Sequence, residues 1–270
     1  MENEYTALVE QLQGQVLYLA PDSQSYLNPM DLDLSTDVGE SPMLMQADFL
    51  LSQCELMMAS YGNPLMPIEK SLIDRCISLV YRDYLKRPTP ENMPILGDLY
   101  QCLRAQDNHT ADDLATAMEI YVTGSLSYLN HRTNVDLNNR LVCYNTSKMG
   151  QGLKKLVMAN VQKHIWQRTT INRYAGVTTR IFLDEFHMLL KEPQTAAYTA
   201  EIYKRFRKWN GIPTSLTQNV KDLLASPEIE NILENSDFIL MLNQGASDRG
   251  ILAQRLGIFT PGTDPCNQQR

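Results

Sequence analysis

The chain has 270 residues, 43% hydrophobic and 20% charged, a balance expected of a soluble chain long enough to bury a full core in one large domain with room for an inserted subdomain. Its 24 Lys and Arg stand against 31 Asp and Glu, a net charge of −7, which excludes a global attraction to phosphate backbones and leaves any nucleic-acid contact to a local basic cluster. The cysteines, Cys54, Cys76, Cys102, Cys143 and Cys266, are odd in number and contain no CxxC, so neither a disulfide framework nor a zinc site is expected, and a reducing cytoplasm fits.

In chain order, Tyr5 to Leu12 reads as a helix, and Gln15 to Ala20, an apolar run between Gly14 and Pro21, as a buried strand. From Pro42 to about Tyr128 the signal turns helical. Ala47, Leu50, Leu51, Cys54 and Met58 form one apolar stripe, and Ile68, Leu72, Cys76, Leu79 and Val80 another. A third helix is expected with Thr110 as N-cap and Asp113 in its first turn, after the Pro-rich stretch Arg87 to Pro94. The α/β alternation then resumes: strand Arg140 to Tyr144, helix Gly152 to Arg168, strand Arg180 to Asp184, helix Thr195 to Lys208 and strand Ile212 to Thr217. Short helices from Val220 to Leu233, a strand Phe238 to Leu242 and a helix from Ser247 complete it. Strands alternating with helices imply a parallel sheet covered on both faces. No apolar run reaches the ~18 residues of a membrane span, and the start, Met-Glu-Asn-Glu, is acidic rather than a basic leader.

Arg180-Ile181-Phe182-Leu183-Asp184-Glu185 has the form of a Walker B strand. A buried strand delivers Asp184 to the carboxyl edge of a sheet, where a carboxylate holds Mg²⁺ through the coordination shell of a nucleotide, and Glu185 is placed to polarise an attacking water. A strand ending in a solvated acidic turn has the same sequence. Asp184-Glu185-Phe186-His187 also spells a DExH box, but 270 residues cannot hold two helicase lobes plus a helical insertion, so His187 is expected to be a packed or surface histidine. Lys204, Arg205, Arg207 and Lys208 crowd the end of a helix before Gly211. They serve as helix-terminal cations with Gly as the stop, as a source of an arginine finger reaching a neighbouring subunit, or as contacts to DNA phosphates. Thr217-Gln218-Asn219 puts an amide where the next strand exits, suited to sensing a γ-phosphate, unless Thr217 or Asn219 is simply a helix cap. Asn243-Gln244 ends the last strand in the same manner. The phosphate-binding sequence GxxxxGK followed by Ser or Thr does not occur. Met149-Gly150-Gln151-Gly152-Leu153-Lys154 lacks its spacing and hydroxyl, and its glycines are expected to open an ordinary helix.

The run Arg207-Lys208-Trp209-Asn210-Gly211-Ile212-Pro213-Thr214 through Thr217-Gln218-Asn219-Val220 and Asp222-Leu223-Leu224 resembles the VirB/TraC-type conjugation ATPases. The resemblance extends through Asn235-Ser236-Asp237-Phe238, Leu242-Asn243-Gln244 and Ser247-Asp248-Arg249. It also reaches back to Thr133-Asn134-Val135-Asp136 and Tyr26-Leu27-Asn28-Pro29-Met30-Asp31, covering about Glu2 to Ile258. It implies an α/β, RecA-like P-loop NTPase core, expected at 1–41 and 129–258, with an all-helical insertion at 42–128 and an atypical tail at 259–270. It implies a cytoplasmic motor, related to the HerA/FtsK translocases, at the inner face of the membrane. Such motors are usually hexamers of like subunits that use ATP and Mg²⁺ to power type IV secretion and pilus assembly with channel and coupling proteins.

By the same resemblance Asp184 and Glu185 are the Walker B pair, Gln218 the sensor and Arg207 the trans-acting arginine. The family's P-loop strand and helix would precede the segment that opens here at Glu2, and its further strands would follow Ile258, so both ends are expected to be truncated and this chain alone to be inactive. Two alternatives stay open: a non-catalytic module docking on secretion-channel components, and a DNA translocase in which Arg205 and Lys208 touch phosphates.

Overall fold

The computed structural model describes residues 5–34, 41–59, 64–191, 193–218, 220–224, 226–242 and 245–255. Asn219, Asn243, Gln244 and the tail 259–270, singled out above, lie outside them. The chain is mixed α/β and mostly helical, and it divides into two compact units, Met1–Ile171 and Asn172–Arg270.

In the first unit, helix α1 (Thr6–Gln11) leads into strand β1 (Gln15–Tyr18). The helices α2 (Pro42–Ala59), α3 (Pro67–Val80), α4 (Arg82–Lys86), α5 (Leu96–Arg104) and α6 (His109–Val122) follow, then strand β2 (Val142–Asn145). β1 and β2 pair in parallel, with Gln15 opposite Val142 and Tyr18 opposite Asn145. Of the predicted α2 stripe, Ala47, Leu50, Cys54 and Met58 are buried. In α3 the buried face is Leu72, Ile73, Cys76 and Ile77: it keeps Leu72 and Cys76 of the predicted stripe and adds Ile73 and Ile77, while Leu79 and Val80 are half-buried and Ile68 is exposed. Pro67 opens this helix, and the Glu69 carboxylate accepts from the Met66 N–H. α6 starts two residues earlier than expected, because Asn108 and not Thr110 is the cap: its Oδ1 accepts from the N–H groups of Thr110 and Ala111. Asp112 stands in the first turn, and Asp113 pairs with the exposed His109. Each fully buried Leu on these faces contributes roughly 1.5–3 kcal/mol relative to exposure.

Two segments far apart in sequence meet in this unit. The Tyr26 N–H donates to Asn134 Oδ1 at 2.9 Å, the Asn28 N–H to Thr133 Oγ1 at 2.8 Å, and Thr133 Oγ1 to the Asp31 carboxylate. From the other side Lys163 drives its ammonium beneath the same loop, donating to the carbonyls of Pro29 at 3.0 Å and Asp31 at 2.6 Å, 4.7 Å from the centre of the Phe49 ring. Burial pushes this lysine down to about 7 against the pull of Asp31, and burial raises the Asp31 carboxyl despite its bond from Thr133.

Lys163 belongs to α7 (Gln151–Tyr174), which Gly150 and Gly152 open as expected. The helix runs six residues past the predicted end and stops where Gly176 takes φ +69, with the Gly176 N–H donating to Arg173 O and the Val177 N–H to Asn172 O.

The second unit holds strand β3 (Thr179–Leu183), α8 (Pro193–Phe206), strand β4 (Gly211–Ser215), α9 (Val220–Leu224), α10 (Ile229–Glu234) and α11 (Ala246–Arg255). β3 and β4 pair in parallel, Thr179 opposite Gly211 and Leu183 opposite Ser215. The expected single sheet is therefore, among the described residues, two parallel pairs. The expected strand at Phe238–Leu242 does not form among the described residues: the five carry no ladder there, and Phe238, Leu240 and Leu242 are 94%, 87% and 75% exposed. An apolar run becomes a strand only when a neighbour saturates its backbone groups. Alternating positions on β3 and β4, Phe182 and Ile212, are likewise exposed, whereas Ile181 is buried. A parallel pair normally has both faces covered.

The helix stop before β4 also differs from expectation. Asn210, at φ 58, is the left-handed residue, and Gly211 already belongs to the strand. Gly211 is required for space: a Cβ there would lie 2.9 Å from Phe206 Cβ.

Candidate active site

β3 and β4 end side by side, so their carboxyl edges present Asp184-Glu185 and Thr217-Gln218 together. The backbone pairing continues past the strands: the Leu216 N–H donates to Leu183 O at 2.8 Å and the Phe186 N–H to Leu216 O at 2.9 Å. These two bonds to one residue bracket the acidic turn. Between them Glu185 is held at φ 48, ψ 42, the left-handed region, and its N–H donates to Asp184 Oδ1 at 2.9 Å. A non-glycine residue in that region costs of order 1 kcal/mol or more and persists where surrounding structure over-determines it. Phe186, buried in the short 3-10 turn Phe186–Leu190, anchors the exit from below.

His187, which the sequence placed as a packed or surface residue, is 9% exposed. Its Nδ1 lies 3.1 Å from Thr217 Oγ1 and 3.3 Å from Glu185 Oε2. The imidazole thus spans the two strand exits. The DExH spelling was the one sign of it in the sequence; the partner Thr217 is 30 residues away and only the parallel pairing brings it close.

Three of the four predicted residues, Asp184, Glu185 and Gln218, share this edge, with Gln218 exposed. Arg207 does not. It sits in the 3-10 turn Arg207–Trp209 ahead of β4, at the amino-terminal edge of the sheet. Five strand residues at ~3.3 Å rise separate the two edges by about 13 Å. Its guanidinium is exposed and lies 3.7 Å from Asp237 Oδ1. Arg205, in the same basic cluster, pairs with Glu201 one turn back, so two of the four cations already face carboxylates.

The residues present fit part of what Mg²⁺ and ATP need. A single carboxylate such as Asp184, half-buried at a sheet edge, is the protein ligand Mg²⁺ commonly takes beside water and phosphate oxygens. No three described His, Cys, Asp or Glu residues cluster as a self-sufficient metal site. The backbone-amide cradle and lysine that hold phosphates have no counterpart in the sequence. In the first unit a cavity of about 200 Å³ opens at the carboxyl ends of β1 and β2, lined by Tyr18, Asp22, Ser23, Asn145, Ser147 and Lys148. None of the four predicted residues lines it. No helix among the described residues is long and apolar enough to cross a membrane.

No curated protein matches the sequence. The fold is similar to the structure of VirB4 of Thermoanaerobacter pseudethanolicus, with a TM-score of 0.78 and 23% identity over 96% of this chain and 72% of that one. Residues 98–249, more than half of the chain and inclusive of the acidic turn, Arg207 and Gln218, match the TraG P-loop domain. The chain belongs to the TraG P-loop domain family.

Proposed function

We propose that these residues carry the Walker B and sensor half of an ATPase motor of type IV secretion and conjugation, within a RecA-like core at 1–41 and 129–258 that bears a helical insertion at 42–128. The observation that carries this reading is the acidic turn clamped by Leu216 at the carboxyl edge of a parallel pair, with Glu185 held left-handed. Asp184 would hold Mg²⁺, which would supply positive charge toward the phosphates. Glu185 orients and polarises the attacking water, and Gln218 reads the γ-phosphate from the adjoining strand exit. Arg207 stands in the turn before β4, at the opposite edge of the pair from the acidic turn, which supports a role toward the site of a neighbouring like subunit in a ring. ATP binding needs a phosphate cradle, and the exposed run 238–242 and the uncovered Phe182–Ile212 face support a sheet that takes at least one more strand. The chain acts in the cytoplasm, at the inner face of the membrane through its partners.

The test is ATP hydrolysis by the chain beside the same chain carrying a strand–P-loop–helix segment ahead of residue 1. Hydrolysis by the second alone supports the reading; no hydrolysis by either, with the second folded, counts against it.

A second reading, a non-catalytic module docking on secretion-channel components, is favoured by the same exposed apolar residues. Capture of channel proteins that survives high salt and is lost in Phe238→Ser/Leu240→Ser would establish it. A translocase reading through Arg205 and Lys208 requires DNA binding that collapses as salt rises, against a net charge of −7.

A further inference from the structure

The mechanism above uses Glu185 and Gln218 but leaves His187 without a task. A buried imidazole within 3.3 Å of a carboxylate and 3.1 Å of a hydroxyl is not a packing accident of an apolar side chain; it fixes a direction for each group it touches. A ring nitrogen carries either one hydrogen or one lone pair. If Nδ1 bore a lone pair it would accept from Thr217 and repel the Glu185 oxygen; both contacts are favourable together only if Nδ1 bears hydrogen.

We propose that His187 is a positioning residue: its Nδ1–H donates, shared, to Glu185 Oε2 and Thr217 Oγ1, and ties the orientation of the Glu185 carboxylate to the strand exit that carries Gln218. This inference rests on the ATPase reading for its catalytic part. Three features make the tie mechanical. The bonds with Leu216 act only on the backbone of the turn, so they do not set the orientation of the Glu185 carboxylate. The Thr217 hydroxyl is one residue from Gln218, so a shift of Gln218 toward or away from a γ-phosphate pulls on the hydrogen bond to Nδ1. Phe186, Leu189 and Leu190 of the turn that holds His187 are buried and α8 packs against that turn, so the ring does not follow passively. Glu185 is therefore aimed only while the β4 exit is in place, which couples sensing to water activation without a moving domain.

The contact is tested on the chain as it exists, by the ¹⁵N resonances of the histidine rings at a pH where they are neutral. The Nδ1–H tautomer is expected at His187, with its Nδ1 resonance displaced in both Thr217→Val and Glu185→Ala while His109 and His131 stay put. An Nε2–H tautomer, or an Nδ1 resonance indifferent to both substitutions, overturns the proposal. The positioning role is tested in the P-loop-bearing chain. His187→Leu is expected to lower kcat about tenfold, the order seen when a group orienting a functional side chain is lost, with KM for ATP within about twofold. His187→Asn, whose amide nitrogen replaces the Nδ1–H donor, is expected to recover most of the loss. Equal impairment by Leu and Asn, or a kcat unchanged in His187→Leu, overturns it. Absence of hydrolysis in the P-loop-bearing wild type instead refutes the ATPase reading and the catalytic part with it, while the tautomer still decides the contact.

Discussion

The backbone N–H of Asn28 donates to Oγ1 of Thr133 at 2.8 Å, across 105 residues of chain. Thr133 passes its own hydrogen to the Asp31 carboxylate, so one hydroxyl satisfies a donor and an acceptor in a loop where burial already penalises the carboxylate. Thr133→Val keeps the shape and removes both bonds. It is expected to cost about 1–3 kcal/mol and to raise the Asp31 carboxyl further, and urea unfolding measures the cost; a change within experimental scatter would show the junction to be dispensable.

His164 and Lys163 give the first unit a dependence on pH. Burial pushes His164 down to about 3 from 6.5, so its contribution to stability is full above about 6.5 and lost as pH falls toward 3. Lys163, pushed down to about 7 from 10.5, has the same sign in a higher window: full above 10.5 and lost as pH falls through 7. Asp31, raised by burial, has the opposite sign, its contribution being full below the ordinary carboxylate range and lost as pH rises through the raised value. Between pH 7 and 10 the Lys163 effect dominates. Relative to Lys163→Met, the wild type is expected to gain stability steadily over that range in thermal melts, whereas parallel curves would contradict the assignment.

His164 Nε2 is buried and has no hydrogen-bond partner among the described residues. Because an unpaired buried nitrogen costs about 1–3 kcal/mol, His164→Leu is expected to be neutral or stabilising at pH 7 and to flatten the loss of stability between pH 6.5 and 3. Marked destabilisation at neutral pH would mean that the nitrogen has a partner in solution.

Gly211→Ala places a methyl group 2.9 Å from Phe206 Cβ, at the junction of α8 and β4. The atom met is close to the backbone and cannot swing aside, so overpacking of about 1–3 kcal/mol follows. Gly150→Ala, where an added Cβ meets nothing within 4 Å, is the control expected to change stability by less than ~0.5 kcal/mol.

Much of this architecture was legible because buried helix faces and strands leave a periodic record. Leu50, Cys54 and Met58 follow the helical repeat, and Ile181 between Arg180 and Asp184 marks a strand that delivers carboxylates to an edge. What failed was decided elsewhere in the chain. Gly211 reads as a helix stop until Phe206 is seen beneath it and Asn210 is found to take the left-handed turn. Thr110 reads as a cap because its hydroxyl stands just ahead of Leu114 and Met118, but the N–H groups of the first turn bond to Asn108 Oδ1 instead. Phe238 to Leu242 has strand composition, yet it forms no ladder among the described residues. His187 reads as a bystander because the residue it meets, Thr217, adjoins it only through the register of β3 on β4. Arg207 was identified by resemblance, but its position opposite the acidic turn follows only from the direction of β4.

The measurement that bears most directly on the ATPase account is nucleotide binding against turnover in Glu185→Gln of the P-loop-bearing chain. The substitution keeps the size of the side chain and removes the charge that polarises water. ATP is expected to bind within a few-fold of the wild type while turnover falls by about 10²-fold or more. Turnover at the wild-type rate would remove Glu185 from the reaction and the acidic turn from its proposed role.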